Sequence, residues 1–265
     1  MRVALGQLDM VWENQAASLG KAEKMVAEAA RGTCDLIVFP EMAFTGFSMN
    51  LDKVGEDMSC SATKREVMSM AQAYGIGIAY GWAALPSPGE ARGRNLFTLI
   101  NARGEEVGEY AKLHPFSYGK EHETYQPGEQ VVTFPYLGRQ VALFVCYDLR
   151  FPEIFQIAAR KADVMLVIAN WPAIRSAHWQ TLLRARAIET QSYVVGVNCV
   201  GERDGDFYSG DSMAIDCIGN ILGQISGREG VLICELEDRA WRLREKFATA
   251  KDRREEFYSS YYYGG

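Results

Sequence analysis

The chain has 265 residues, 48% of them hydrophobic and 23% charged, with a net charge of −6. That acidic balance argues against a general nucleic-acid or membrane-surface partner, which would favour a basic patch. A chain of this length buries roughly 70–75% of its unfolded surface and needs no disulfide or metal to be stable. The six cysteines (Cys34, Cys60, Cys146, Cys199, Cys217 and Cys234) are scattered, with no Cys-x-x-Cys and no Cys/His cluster. Structural zinc is therefore not expected, and thiols in strand-like segments suit a reducing compartment. No apolar run reaches the roughly 18–20 residues of a membrane span. The start, Met-Arg-Val-Ala-Leu-Gly-Gln-Leu-Asp, reads as a strand rather than a signal peptide. The cytoplasm is the expected location.

Val3 to Leu8 reads as a strand. Leu19, Ala22, Met25, Val26 and Ala29 then recur at helical spacing up to about Ala30. Asp35 to Pro40 is a short buried strand with Glu41 at its carboxyl end. A helix is predicted over Ala62 to Tyr74, stopping before Gly75, and a strand over Gly77 to Ala84. Asn95 to Asn101 and Glu106 to Ala111 form a predicted hairpin, with Lys112 just beyond it. The polar stretch from His114 to Gln130 is either functional or disordered at its length.

The second half repeats the rhythm. Gln140 to Val145 is a predicted strand, Pro152 to Arg160 a helix and Ala162 to Ala169 a strand leading to Asn170-Trp171-Pro172. A longer helix covers about Arg175 to Gln191. Strands follow at Val194 to Val200 and Ser212 to Ile215. Ile221 to Ile225 and Val231 to Glu235 read as strands turning at Gly227 to Gly230, before a last helix over Arg239 to Phe247. Asp35 to Glu41 and Asp163 to Asn170 resemble each other, each after a helix, which reads as a pseudo-repeat. No Pro-, Ser- or Gly-rich linker divides the chain, so one domain over 1–265 is expected, with a core to about 250 and a tyrosine-rich tail. That tail is either a frayed terminus or a contact with a partner subunit.

The most informative residue is Cys146. Five apolar residues, Val141 to Val145, end at this thiol, and polarity then flips to Tyr147, Asp148 and Arg150. The carboxyl end of a strand is where open α/β sheets place their chemistry, and cationic neighbours can hold a thiol as thiolate. Alone, the residue reads more readily as core. A nucleophilic thiol needs a base and an oxyanion stabiliser. Nothing pairs His114 or His122 with Cys146, and His178 reads as a packing or hydrogen-bonding residue. The flanks Val145 and Tyr147 also disfavour a Gly-x-Cys-x-Gly elbow. Glu41, ringed by Phe39, Met42, Phe44 and Phe47, reads equally as a desolvated general base or as a cap for the next turn. Lys112 alone is an ordinary solvated charge, or a donor to a developing oxyanion.

Together, three motifs resemble the nitrilase superfamily of carbon–nitrogen hydrolases. They are Phe-Pro-Glu-Met (Phe39 to Met42), Tyr-Ala-Lys-Leu-His-Pro-Phe (Tyr110 to Phe116) and Val-Cys-Tyr-Asp-Leu-Arg-Phe-Pro-Glu (Val145 to Glu153), in the family's order and over essentially the whole chain. The resemblance implies an α/β fold, a four-layer αββα sandwich. It implies a catalytic triad of Glu41, Lys112 and Cys146, with Glu121 as the second glutamate that orients the lysine and the substrate. It implies an oxyanion hole of Lys112 and the Tyr147 N–H, and a homodimer or larger homo-oligomer. No metal and no organic cofactor is required; the partners are a small amide and water.

Within the family, Ala169 to Trp179, Leu182 to Gln191 and Tyr208 to Ser212 look like the omega-amidase branch. Leu149-Arg150 stands where N-carbamoyl-D-amino-acid hydrolases carry two arginines. The expected reaction is hydrolysis of a dicarboxylic monoamide to carboxylate and ammonia. N-carbamoyl or other aliphatic amide hydrolysis, nitrile hydrolysis and an inactive scaffold are the alternatives. A substrate carboxylate needs a cation, Arg150 or Arg175, and either reads equally as structural, binding Asp148 or a backbone carbonyl. Phe44, Tyr125, Tyr147 and Trp171 are candidate pocket walls.

Overall fold

The computed structural model describes residues 1–203 and 205–263; of Tyr262 and Tyr263 it describes the backbone alone. The first half runs β1 (Arg2–Gln7), α1 (Gln15–Arg31), β2 (Leu36–Val38), α2 (Leu51–Val54), β3 (Gly55–Glu56), α3 (Ala62–Tyr74), β4 (Gly77–Ala84), β5 (Arg94–Ile100), β6 (Glu106–Ala111) and α4 (Glu121–Thr124). The second runs β7 (Thr133–Tyr136), β8 (Arg139–Val145), α5 (Pro152–Ala158), β9 (Val164–Ala169), α6 (Ser176–Thr190), β10 (Tyr193–Asn198), β11 (Val200–Arg203), β12 (Asp206–Ile215), β13 (Ile221–Ser226), β14 (Gly230–Glu235), α7 (Ala240–Lys246) and α8 (Glu255–Tyr263).

Local chemistry sets the helix ends. Asn14 caps α1 by accepting from the Ala17 N–H at 3.1 Å, and Ser61 caps α3 by accepting from Lys64 at 2.9 Å. Gly75 closes α3 in the left-handed region at φ 64°, a conformation glycine adopts without a Cβ penalty. The predicted apolar stripe of α1 is buried.

The strands form two sheets, ordered β14-β1-β2-β4-β5-β6, with β3 on β4, and β11-β12-β10-β9-β8-β7, with β13 on β12. Alternation along each strand gives each sheet two faces. Val3, Leu5, Val38 and Leu99 of one sheet share a core with Val141, Leu143, Leu166 and Val195 of the other. Ala4, Ile37 and Ile78 face outward onto α1 and α3. Ala142, Met165 and Val194 face outward onto α5 and α6. Three apolar interfaces between four layers make the αββα sandwich.

The pseudo-repeat is visible in the pairing. β1, β2 and β4 run parallel, as do β8, β9 and β10. Asp35 accepts the Arg2 N–H at 2.7 Å, and Asp163 accepts the Gln140 N–H at 2.8 Å. Each aspartate opens its central strand by tying down the first strand beside it.

Some expectations need correcting. β13 and β14 flank the expected turn, but they join different sheets: β13 pairs with β12 and β14 crosses to β1. Val194 to Val200 is divided at Cys199 into β10 and β11, and β12 starts earlier than expected, at Asp206. β7 is a further strand; it carries Pro135 and lies at a sheet edge, where a missing N–H is tolerated. The 114–130 stretch is ordered, with a 3-10 turn at Ser117–Gly119 and α4. The tail is helical through Tyr263 with Tyr261 exposed, and Gly264 and Gly265 lie outside the described residues. Among the described residues no helix is long and apolar enough to cross a membrane.

Candidate active site

Glu41, Lys112 and Cys146 arrive from three strand ends. Glu41 follows β2 and Lys112 follows β6, while Cys146 follows β8 and begins a 3-10 turn, Cys146–Arg150. Cys146 has φ 47° and Met42, beside Glu41, has φ 44°. Positive φ at non-glycine residues is costly and is retained where surrounding structure fixes it. The chain thus makes a sharp bend at the thiol without flanking glycines. Gly81 of β4 permits the close approach of Glu41: a Cβ there would lie 2.7 Å from Glu41 Cα and 2.6 Å from the Met42 nitrogen.

Lys112 is buried between two buried carboxylates. Its Nζ donates to Glu41 Oε1 at 2.8 Å and to Glu121 Oε2 at 2.8 Å. It also lies 5.3 Å from the Phe47 ring centre. Burial alone would lower the lysine pKa, but Glu121, Glu41 and Cys146 outweigh it and raise it, so the ammonium is secure. Two of its three donors are engaged by carboxylates, and the third remains for another acceptor. Glu121 also accepts the Phe116 N–H at 2.6 Å, which ties the loop after Lys112 to the cluster. Burial, opposed by Lys112 and reinforced by Glu41, holds the Glu121 carboxyl above its usual range.

Cationic neighbours can hold a thiol as thiolate, but the surroundings of Cys146 work against that form. Desolvation first, then Glu41, pushes the Cys146 thiol well above its ordinary pKa, and Lys112 only partly opposes this. The cluster around the sulfur carries two carboxylates against one ammonium, so the resting group is the thiol. A nucleophile in this state needs a base at the moment of attack. Cys146 Sγ lies 3.9 Å from the Asn170 carbonyl oxygen.

Two asparagines complete the cluster and were not read from the sequence as site residues. Asn95, at the start of β5, donates through Nδ2 to Glu41 Oε1 at 2.8 Å and to Glu121 Oε1 at 2.9 Å. Asn170, following β9, gives its N–H to Glu41 Oε2 at 2.9 Å and its Nδ2 to the Glu41 carbonyl at 2.6 Å. The Cys199 thiol donates to Asn170 Oδ1 at 3.2 Å. The available signal was a polar amide beside an apolar strand, since a buried amide must find partners.

A cavity of about 210 Å³ opens above the thiol, lined by Cys146, Tyr147, Asn170, Trp171, Arg150 and Arg175, together with Trp12, Phe47, Met49, Phe116, Gly119, Pro172, Asp206 and Tyr208. Arg150 lies over the Trp171 ring at 4.7 Å, with its Nη2 3.4 Å from His178 Nδ1. Arg175 lies 5.9 Å from the Phe116 ring centre. Tyr147 packs against Phe116 at 5.0 Å. Asp148, the structural partner considered for either arginine, is instead satisfied by the Tyr110 hydroxyl at 2.7 Å, the Val145 N–H at 3.0 Å and His114 at 2.8 Å.

Two expected wall residues lie elsewhere. Phe44 is buried against Phe39 and Tyr80 in the outer core. Tyr125 is fully buried and gives its hydroxyl to the Ser48 carbonyl at 2.7 Å. Phe47, three residues beyond Phe44, faces the cavity instead. Trp12 and Tyr208 come from segments far from the three motifs; Tyr208 opens the stretch likened to the omega-amidase branch, and nothing in the local sequence of Trp12 marked it as a wall residue. Among the described residues no group of three or more His, Cys, Asp or Glu side chains could hold a metal ion.

Residues 2–244 fit the carbon–nitrogen hydrolase model, and the chain belongs to that family. Within it, the chain is an amidohydrolase with omega-amidase likeness. It is 34% identical over 258 residues to an omega-amidase from Yersinia enterocolitica, covering 95% of this chain and 96% of that one. It is 29% identical to the 2-oxoglutaramate amidase of Bacillus subtilis, covering 95% and 97%. A Xanthomonas campestris member of the same superfamily, solved with an arsenic adduct in its active site, superposes with a TM-score of 0.88 at 30% identity, covering 96% and 97%.

Proposed function

We propose that the chain hydrolyses the terminal amide of a small dicarboxylic monoamide, of the 2-oxoglutaramate or 2-oxosuccinamate kind, through a Cys146 thioester. The observation that carries this reading is the cavity itself. At about 210 Å³ it falls below the roughly 300–1,000 Å³ of pockets for drug-sized ligands. It has the thiol at its base and two guanidiniums, Arg150 and Arg175, in its wall. A guanidinium in an aromatic wall recognises a carboxylate bidentately. The names of the two amidase relatives agree with such a substrate.

In this reading Cys146 Sγ attacks the amide carbonyl as Glu41 accepts the thiol proton. The carbon–oxygen π electrons move onto oxygen, where the third Lys112 donor and the Tyr147 N–H stabilise the charge. Collapse re-forms the carbonyl and breaks the carbon–nitrogen bond. Glu41 returns its proton to the departing nitrogen, and ammonia leaves. Water then attacks the thioester, giving its proton to Glu41, and that proton passes to sulfur as the carbon–sulfur bond breaks. Glu121 holds Lys112 in place throughout.

Ammonia release over a small panel tests this. Carboxylated amides should be turned over well, neutral amides of equal length poorly and ureido acids hardly at all. Replacing the arginine that meets the carboxylate, by Arg150→Ala or Arg175→Ala, should raise KM for the carboxylated amide about 10- to 100-fold while barely changing the neutral one. Preference for ureido acids, or equal loss for both amide classes in both variants, would overturn the substrate assignment.

A further inference from the structure

We propose that Asn95 is a positioning residue of the reaction: with Lys112 it occupies Oε1 of Glu41 and leaves Oε2 as the oxygen that exchanges the proton with Cys146. This rests on Glu41 being the general base.

The argument is a count of lone pairs. Each carboxylate oxygen offers two acceptor sites. Glu41 Oε1 receives Lys112 Nζ at 2.8 Å and Asn95 Nδ2 at 2.8 Å, so both of its sites are filled. Oε2 receives the Asn170 N–H at 2.9 Å, so one site stays open. That open site takes the thiol proton, gives it to the leaving nitrogen and takes the next one from water. An unrestrained carboxylate could rotate and present either oxygen; the donors on Oε1 prevent this.

The amide of Asn95 can face only one way. Its two hydrogens reach two different carboxylates, Glu41 and Glu121. Turned round, Oδ1 would confront both anionic oxygens. In the orientation adopted, Oδ1 is buried without a hydrogen-bond partner among the described residues. A fold retains such an orphaned acceptor where another requirement outweighs it. The backbone holds the side chain in register, because Lys112 N–H donates to the Asn95 carbonyl at 2.9 Å. Among the described residues, the charged and titratable groups facing Glu41 belong to the same assembly: Lys112 after β6, Glu121 in α4 and Tyr125 just beyond it, Cys146 after β8 and Cys199 after β10. Within it, the Asn95 hydrogen bond pulls the Glu121 carboxyl downward against burial and Glu41.

The test compares Asn95→Ala, Asn95→Asp and Glu41→Gln in the intact chain. The readouts are ammonia release against pH and, independent of substrate identity, the pH-dependent rate at which iodoacetamide alkylates Cys146, followed by peptide mass. Asn95→Ala should lower both rates about 10- to 100-fold. It should also move the acidic limb to higher pH, since carboxylates losing a donor to their charged form bind protons more readily. Asn95→Asp keeps the shape but adds a third carboxylate, and should be slower than Asn95→Ala. A purely structural role predicts the reverse order, lower thermal stability and an unmoved limb, and that result would overturn the proposal. Should circular dichroism show Asn95→Ala unfolded, Asn95→Ser takes its place against Asn95→Asp with the same required order. If Glu41→Gln leaves alkylation and turnover intact, the base assignment itself fails. If Glu41→Gln is inactive while the Asn95 variants keep the wild-type limb, only the Asn95 assignment fails.

Discussion

The two halves of the sandwich build the same strand–helix–strand unit and use its ends differently. Aligning the halves on Asp35 and Asp163 through the strand registers places Val3 against Val141 and Leu8 against Cys146. Leu8 is fully buried in the outer core with α1, and its carbonyl accepts the Val200 N–H at 3.2 Å, tying the first sheet to β11. Cys146, at the matching position, turns through a positive φ and meets the cavity. The central strands diverge in the same way: β2 leads to the acid Glu41, β9 to the amide Asn170, and the two residues hydrogen-bond to each other. A pseudo-symmetric scaffold thus brings the ends of β2, β8 and β9 to one place while the end of β1 stays in the outer core, and the site arises from that asymmetry.

The largest expected effect breaks the second half's member. Cys146→Ala should lower ammonia release by about 10⁴- to 10⁶-fold, the scale of losing a nucleophile, with circular dichroism and the urea midpoint near wild type. Retained turnover would end the cysteine mechanism and with it the functional meaning of the asymmetry.

A smaller effect sharpens the comparison at Glu121, which the first half contributes beyond its hairpin. Glu121→Gln removes one of two carboxylates gripping Lys112 and should lower kcat about 10- to 100-fold. It also changes stability against pH. The folded Glu121 carboxyl is held above its ordinary value of 4.5 by burial first, so above that pH the native state binds more protons than the unfolded chain. Its stabilising contribution is complete below about pH 4.5 and is lost as pH rises through the folded value. Urea midpoints for Glu121→Gln should therefore fall less steeply than wild type above pH 4.5. A parallel decline in both proteins would show that Glu121 is not the group responsible.

The elements themselves were legible because their signals are local. The stripe of α1, the stop at Gly75 and the run into Cys146 depend on residues within one turn or one strand. Glu41, Lys112, Glu121 and Cys146 were named through motifs and do converge on one cluster. What escaped depends on partners distant in sequence. Asn95 looks like the first residue of an apolar strand until the fold sets two glutamates on its amide. Phe44 and Phe47 lie three residues apart in one segment, and only the turn between them decides that Phe44 is core and Phe47 meets the cavity. Whether the Cys146 thiol is ionised rests on the balance of burial, Glu41 and Lys112, which local sequence does not express. The glycines between β13 and β14 mark a turn, but a turn does not specify which sheet each strand joins.

The smallest effect on catalysis should come from the first half's counterpart of Cys146. Leu8→Ala removes a fully buried side chain and should cost about 2–5 kcal/mol of stability through lost burial and the cavity left behind. It touches none of the donors around Glu41, so kcat of the folded protein should stay near wild type. Urea unfolding and ammonia release on the same preparation separate the two quantities. Cys146→Ala should give the opposite pattern, stability kept and activity lost. If Leu8→Ala also lost kcat while still folded, the end of β1 would have to be coupled to the site through its tie to β11, and the functional separation of the two halves would fail.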